Sequence, residues 1–151
     1  MKTKLGLGLT GVLGVAASLA GYFEGRNLIA YIDPVGIPTI CDGVTKGVKL
    51  GDAKTDQECD VLFEAELRAH QAELNKYVSV PLHPNTEAAL ISFVYNVGGP
   101  AFSRSTLLRK LNAGDTVGAC DELSRWVYAG GRKLRGLVRR RDAERELCLS
   151  F

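Results

Sequence analysis

Nineteen consecutive residues, Leu5 to Phe23, carry no charge and run directly into Glu24. A stretch of that length has two destinations: a lipid bilayer, whose ~30 Å hydrocarbon core takes ~20 helical residues, or the interior of a fold. Lys2 and Lys4 precede it, the arrangement that keeps an N-terminus on the cytoplasmic side. Its composition makes it a weak span. Gly6, Gly8, Gly11, Gly14 and Gly21, with Thr10, Ser18, Ala16, Ala17 and Ala20, dilute the larger apolar side chains. Residues 5–23 therefore read as an anchor that inserts but holds lipid poorly. Ser18-Leu19-Ala20 before Gly21 also has the small residues of a signal-peptide cleavage site. Against cleavage there, the apolar run continues through Tyr22 and Phe23.

The rest of the 151 residues has room for one domain with a core. Between Arg26 and Val48, short β-branched runs alternate with Pro34, Gly36, Pro38 and Gly43, the punctuation of a hairpin. Thr55-Asp56-Gln57-Glu58 is a capping box, and the apolar spacing behind it predicts a long helix to about Lys76. After a break at Pro81 to Pro84, Asn85 is expected to cap Thr86 to Val97, a segment apolar nearly all round and hence a buried central helix. Shorter helices are expected at about 105–112, 115–125 and 135–148, separated by Gly114 and Gly130-Gly131. The fold class is α+β: a small β-hairpin lobe, a long connecting helix and a larger helical lobe, with a cleft between the lobes.

Charge is unevenly spread although the formal net is +2. Residues 24–124 hold nine Lys/Arg against fourteen Asp/Glu, and residues 125–146 hold eight against three. The basic end attracts an anionic polymer or neutralises the acidic lobe of the same protein. Cys41, Cys59, Cys120 and Cys148 form no CxxC pair and no cluster with His70 or His83, so neither a zinc site nor any other metal is expected. An even count behind an export segment fits two disulfides. Three pairings are open; Cys41 with Cys59 and Cys120 with Cys148 is preferred because each pair stays within one half of the chain.

Glu24 follows Tyr22 and Phe23, a setting that desolvates a carboxyl, whereas Asp33 precedes Pro34 in a turn open to water. Two carboxyls in unlike surroundings are what glycosidic hydrolysis needs, one as acid and one to guide water. Thr39 adds a hydroxyl at the next strand. The surrounding pattern is more specific. Glu24-Gly25, Leu28, Tyr31, Asp33, Gly36, Thr39, Ile40, Gly43 and Thr45 resemble the signature of the T4-type phage lysozymes, glycoside hydrolase family 24. Ser92 to Gly98, Ser105 to Lys110, Arg125 to Gly131 and Gly136-Leu137 with Arg139-Arg140-Arg141 look like the endolysins of lambdoid phages, in particular the signal-anchor-release type.

The resemblance implies a muramidase that hydrolyses the β-1,4 bond between N-acetylmuramic acid and N-acetylglucosamine in peptidoglycan and so lyses the host. Glu24 is then the general acid, Asp33 the carboxylate that guides water, and Thr39 the hydroxyl that places it. Tyr95, Asn96 and Gly98 are expected to line the cleft, with Tyr95 equally readable as a core aromatic, and Trp126 is assigned to the helical core. Arg135 is the candidate ion partner of Glu24 and Arg140 a structural residue. Val44 stands where many relatives have a structural histidine, and Asp42 adds a third carboxylate that either tunes the site or faces solvent.

The expected domains are 1–23, a signal-anchor-release segment, and 24–151, the glycosidase domain. The resemblance further implies export by the host Sec machinery, an inactive form at the inner membrane facing the periplasm, and release, triggered by a holin or pinholin, of a soluble periplasmic monomer. No cofactor and no nucleic acid enters this reading. The alternatives are a lytic transglycosylase on the same fold and a non-catalytic, membrane-tethered peptidoglycan-binding protein.

Overall fold

The computed structural model describes residues 9–151; the expectations placed on Lys2, Lys4, Gly6 and Gly8 lie outside them. Within the weak span the chain forms helix α1 (Gly11–Glu24), with Ala16, Ala17, Ala20 and Gly21 buried. Small residues on one face let its backbone approach α3 (Pro84–Val97) closely. Each buried methyl-sized group contributes ~0.8 kcal/mol, so the alanine face favours docking without making the helix greasy. No helix among the described residues is long and apolar enough to cross a membrane.

Strands β1 (Asn27–Ile32) and β2 (Pro38–Cys41) pair antiparallel with Tyr31 opposite Thr39, as the hairpin punctuation predicts. The capping box forms: the Thr55 hydroxyl accepts from the Glu58 N–H at 3.1 Å and the Glu58 carboxylate from the Thr55 N–H at 2.7 Å. It opens α2 (Asp56–Tyr77), which joins the hairpin lobe to the helical lobe. Helix α3 has an unbroken buried run from Ala88 to Val94 and is the centre of the core, as expected. Its cap is His83 rather than Asn85, the imidazole accepting from the Asn85 N–H at 3.1 Å, because Pro84 occupies the first helical position.

Helices α4 (Gly99–Ser103), α5 (Thr106–Asn112) and α6 (Thr116–Glu122) wrap one side, and a 3-10 turn at Leu123–Arg125 follows. The Gly130-Gly131 pair, expected only to separate helices, also turns a small hairpin of β3 (Tyr128–Ala129) and β4 (Arg132–Lys133). Helix α7 (Arg135–Cys148) then packs back on α3.

A second, smaller core of Ala30, Ile40, Cys41, Val44 and Cys59 lies under the hairpin. Val44 is buried there and exchanges two 2.9 Å backbone hydrogen bonds with Ile40. Cys41 is bonded to Cys59 and Cys120 to Cys148, the preferred pairing. Trp126 stacks edge-on against Phe93 at 5.2 Å, part of the helical core.

Candidate active site

Glu24 is the last residue of α1, so the helix that fills the gap beside α3 also delivers its carboxyl to the lobe boundary. One oxygen, Oε1, accepts from Arg140 Nη1 at 2.6 Å. The other, Oε2, faces the backbone of Gly43, where a Cβ would stand only 2.7 Å away. The carboxyl is thus held on one side by an ion pair and on the other by a residue without a side chain.

Arg140 is itself fixed, 3 % exposed, with Nε donating to Glu144 at 3.0 Å and Nη2 to the Ser92 carbonyl at 3.0 Å. Glu144 is fully buried and also accepts from Arg141 at 2.7 Å and from the Ser92 hydroxyl at 2.8 Å. Arg141 donates to the Trp126 carbonyl at 2.9 Å and to the Asn96 side chain. Burial lowers the Arg141 pKa, opposed by Glu144. The two arginines and two glutamates balance, and removing any one strands a charge in a medium that solvates it poorly.

The expected partner of Glu24, Arg135, does not reach it; Arg140 does. Arg135 opens α7 and is exposed. Five residues along an α-helix rotate a side chain by ~140° and advance it ~7.5 Å, so both cannot address the same carboxyl.

On the hairpin, Asp33 closes the turn after β1, its carboxylate accepting from the Val35 N–H at 2.9 Å and the Ile37 N–H at 2.8 Å. Thr39 is buried in β2, its hydroxyl donating to the Ile37 carbonyl at 2.9 Å. Tyr31, across from Thr39, has its phenol pKa raised first by burial and then by the negative charges of Glu24 and Asp33.

Asn96 lines a pocket that opens beside Glu24. Tyr95 instead bridges the lobes, donating to the Asp42 carbonyl at 2.6 Å. Its pKa is raised by burial first, then by Glu24 and Asp42. Gly98 ends α3, its N–H bonded to the Val94 carbonyl at 2.8 Å. Asp42 does not face solvent; it is fully buried and paired with Arg26 at 2.9 Å. Arg26 also reaches Asp56 at 3.3 Å and Asp60 at 2.7 Å, tying the hairpin lobe to the start of α2. Burial opposes the Arg26 charge, but these carboxylates raise its pKa overall. Beside Glu24 a cleft of about 710 Å³ opens, lined by Tyr22 and Phe23 from α1, Asn96 from α3, and Leu134, Leu137 and Arg139 around the start of α7.

Comparison with known proteins places this geometry. The Phage lysozyme family pattern matches residues 21–144. The SAR-endolysin of Enterobacteria phage P21 is 46% identical over 127 residues, 83% of this chain and 77% of the relative. Among solved structures, the muramidase domain of SpmX from Asticaccaulis excentricus is 31% identical with a TM-score of 0.83, covering 90% of this chain and 95% of that one. The active form of P1 phage endolysin Lyz is 28% identical with a TM-score of 0.81, covering 90% and 83%. The helical bulk with its small antiparallel hairpin is a lysozyme-like fold, and the chain belongs to the phage lysozyme family.

Proposed function

We propose that this protein is a phage endolysin, a lysozyme-type glycosidase that hydrolyses the muramyl β-1,4 bond of peptidoglycan for host lysis. The observation that carries the reading is Glu24, clamped by Arg140 at 2.6 Å beside a cleft, with its other carboxyl oxygen against Gly43 of the hairpin lobe. Glu24 gives its proton to the leaving glycosidic oxygen while water adds to the anomeric carbon; Asp33 takes the proton from that water and Thr39 helps place it. Arg140 keeps the acid in position.

The similarity to SAR-endolysins supports a tethered form preceding the active one. In the tethered form residues 5–23 lie in the inner membrane after export by the host Sec machinery, and Glu24 is held at its surface, away from Arg140 and Gly43. A holin or pinholin triggers extraction, and the freed segment docks on α3 as α1, completing the site in the periplasm. The division into 1–23 and 24–151 describes the tethered state, since in the docked state α1 contributes to the core.

The test is digestion of purified peptidoglycan by the full-length chain beside Glu24→Gln, with products identified by mass spectrometry. Reducing muropeptides from the parent and none from the variant are expected. Products ending in 1,6-anhydromuramic acid would replace hydrolysis with transglycosylation, and a folded but inert parent would leave a binding protein.

A further inference from the structure

The two oxygens of the Glu24 carboxyl have different neighbours, and both neighbours lead back to one turn of α3. On the Oε1 side, Arg140 also donates to the Ser92 carbonyl at 3.0 Å. On the Oε2 side stands the Gly43 backbone, and the carbonyl of the preceding residue, Asp42, accepts from the Tyr95 hydroxyl at 2.6 Å. Ser92 and Tyr95 are three residues apart in α3, neighbours on the surface of a helix. The peptide between Asp42 and Gly43 is a rigid plane that includes the Gly43 Cα, so holding its carbonyl also holds that carbon. The phenol has little play. Its ring meets His70 at 5.2 Å and, edge-on, Phe63 at 5.7 Å, and His70 is bonded to Glu73 at 2.8 Å. At the other end of the link, the Asp42 side chain is buried and gripped by Arg26. Burial, with the negative charges of Glu24 and Asp42, raises the phenol pKa, so the proton it donates stays in place.

We infer that Tyr95 is a positioning residue for Glu24, acting through the peptide between Asp42 and Gly43 and not by contact with the sugar. The inference rests on the muramidase reading and adds to it the means by which the gap beside the acid is set. A glycine leaves room at Oε2, but its backbone must be kept at that distance from across the lobe boundary. The Tyr95 hydroxyl supplies that link, its one proton committed to the Asp42 carbonyl. Without it the hairpin lobe is free to drift from α3, and a carboxyl tied at Oε1 loses its opposite wall. Helix α1 docks on α3 as well, so the acid and the backbone facing it are both referenced to a single helix.

The experiment measures kcat and KM on solubilised peptidoglycan strands for the full-length chain, Tyr95→Phe, Thr86→Val, Gly43→Ala, and the double variant of Tyr95→Phe with Gly43→Ala. Tyr95→Phe keeps the ring and its packing and removes only the oxygen. Thr86→Val is the structural control, because the Thr86 hydroxyl also donates from α3 to a backbone carbonyl, that of Cys148 at 2.8 Å, and is fully buried. Thr86 lies ~13 Å along the helix from Tyr95. The two single variants should lose similar stability in thermal unfolding. Tyr95→Phe is expected to lower kcat about five- to tenfold, the worth of one hydrogen bond, with KM unchanged, while Thr86→Val keeps both parent values. On the Gly43→Ala background, where the acid is already displaced, Tyr95→Phe should lower kcat by no more than about twofold further, the sign of two residues acting through one contact. A parental kcat in Tyr95→Phe would overturn the assignment, and a raised KM beside it would make the phenol a sugar contact. Equal losses of kcat in Tyr95→Phe and Thr86→Val, or full multiplication of the two losses in the double variant, would overturn it as well. A parent that cleaves no form of the substrate overturns the muramidase reading itself, and the positioning role with it.

Discussion

Gly43→Ala isolates the contact that sets the position of the acid. The new Cβ would stand 2.7 Å from Glu24 Oε2 and 3.5 Å from Cδ. Ordinary contact begins at about 3.4 Å, so the carboxyl must retreat by roughly 0.7 Å. It cannot retreat freely, because Oε1 is tied at 2.6 Å to an arginine that Glu144 and the Ser92 carbonyl hold in place. A displacement on the order of 1 Å at a reacting group costs about 10²-fold in rate, and kcat should fall about 30- to 100-fold. Gly43 also has φ +81°, where alanine costs ~1–2 kcal/mol whatever its surroundings. Gly47→Ala separates the two effects, since Gly47 has φ +71° and nothing within 4 Å of its would-be Cβ. Both variants should lose similar stability in thermal unfolding, a few degrees in Tm for a chain of this size. Only Gly43→Ala should lose turnover of peptidoglycan. Equal activity in the two variants would refute the argument that Gly43 sets the place of Glu24.

Ala20 is fully buried between α1 and α3, and Ala20→Leu should cost ~1–3 kcal/mol by overpacking. In the proposed tethered state the same leucine strengthens the hold on lipid, so cell fractionation should show more protein retained in the membrane as purified activity drops. Arg140→Met leaves Glu144 and Glu24 without their shared cation, and a loss of ~3–5 kcal/mol in denaturant unfolding is expected; adding Glu144→Gln should restore part of it. Tyr95 has a raised pKa in the folded chain, so its contribution is complete below its unfolded value near 10 and is lost as pH rises above that. Tyr95→Phe should flatten the alkaline fall in stability while costing ~1 kcal/mol at neutral pH for the lost hydrogen bond to the Asp42 carbonyl.

Much of the architecture is readable from local patterns. The Thr55 capping box, the apolar girdle of Thr86 to Val97 and the Pro/Gly punctuation of the hairpin each depend on near neighbours, and each appears where its spacing puts it. Glu24, Asp33 and Thr39 are picked out as a set by the resemblance to the phage lysozyme signature, since a Glu and an Asp nine residues apart carry little signal by themselves. What needed the fold were relations between distant segments. Hydropathy does not distinguish lipid from a protein interior, so the small-residue face of α1 reads as a weak anchor and gives no sign of the groove it fills on α3. The choice of Arg140 over Arg135 depends on the rotation of α7 relative to α1, which no local pattern records. His83 displaced Asn85 as a cap because a proline at the first helical position moves the boundary by two residues. Gly43 carried no signal beyond being a glycine in a hairpin, and its closeness to Glu24 comes from packing across the lobe boundary.

Arg26, two residues beyond Glu24, grips Asp42, Asp56 and Asp60, and Cys41 is locked to Cys59 just behind it. All of these attachments lie on the C-terminal side of Gly25. A pull on α1 is therefore borne at Gly25 and stops at the guanidinium, leaving the hairpin, Asp33 and Thr39 seated on α2. Gly25 is thus the one residue between helix α1 and the anchored hairpin lobe. Under the proposed tethering, activation would then take the seating of a single helix, with no need to fold a lobe.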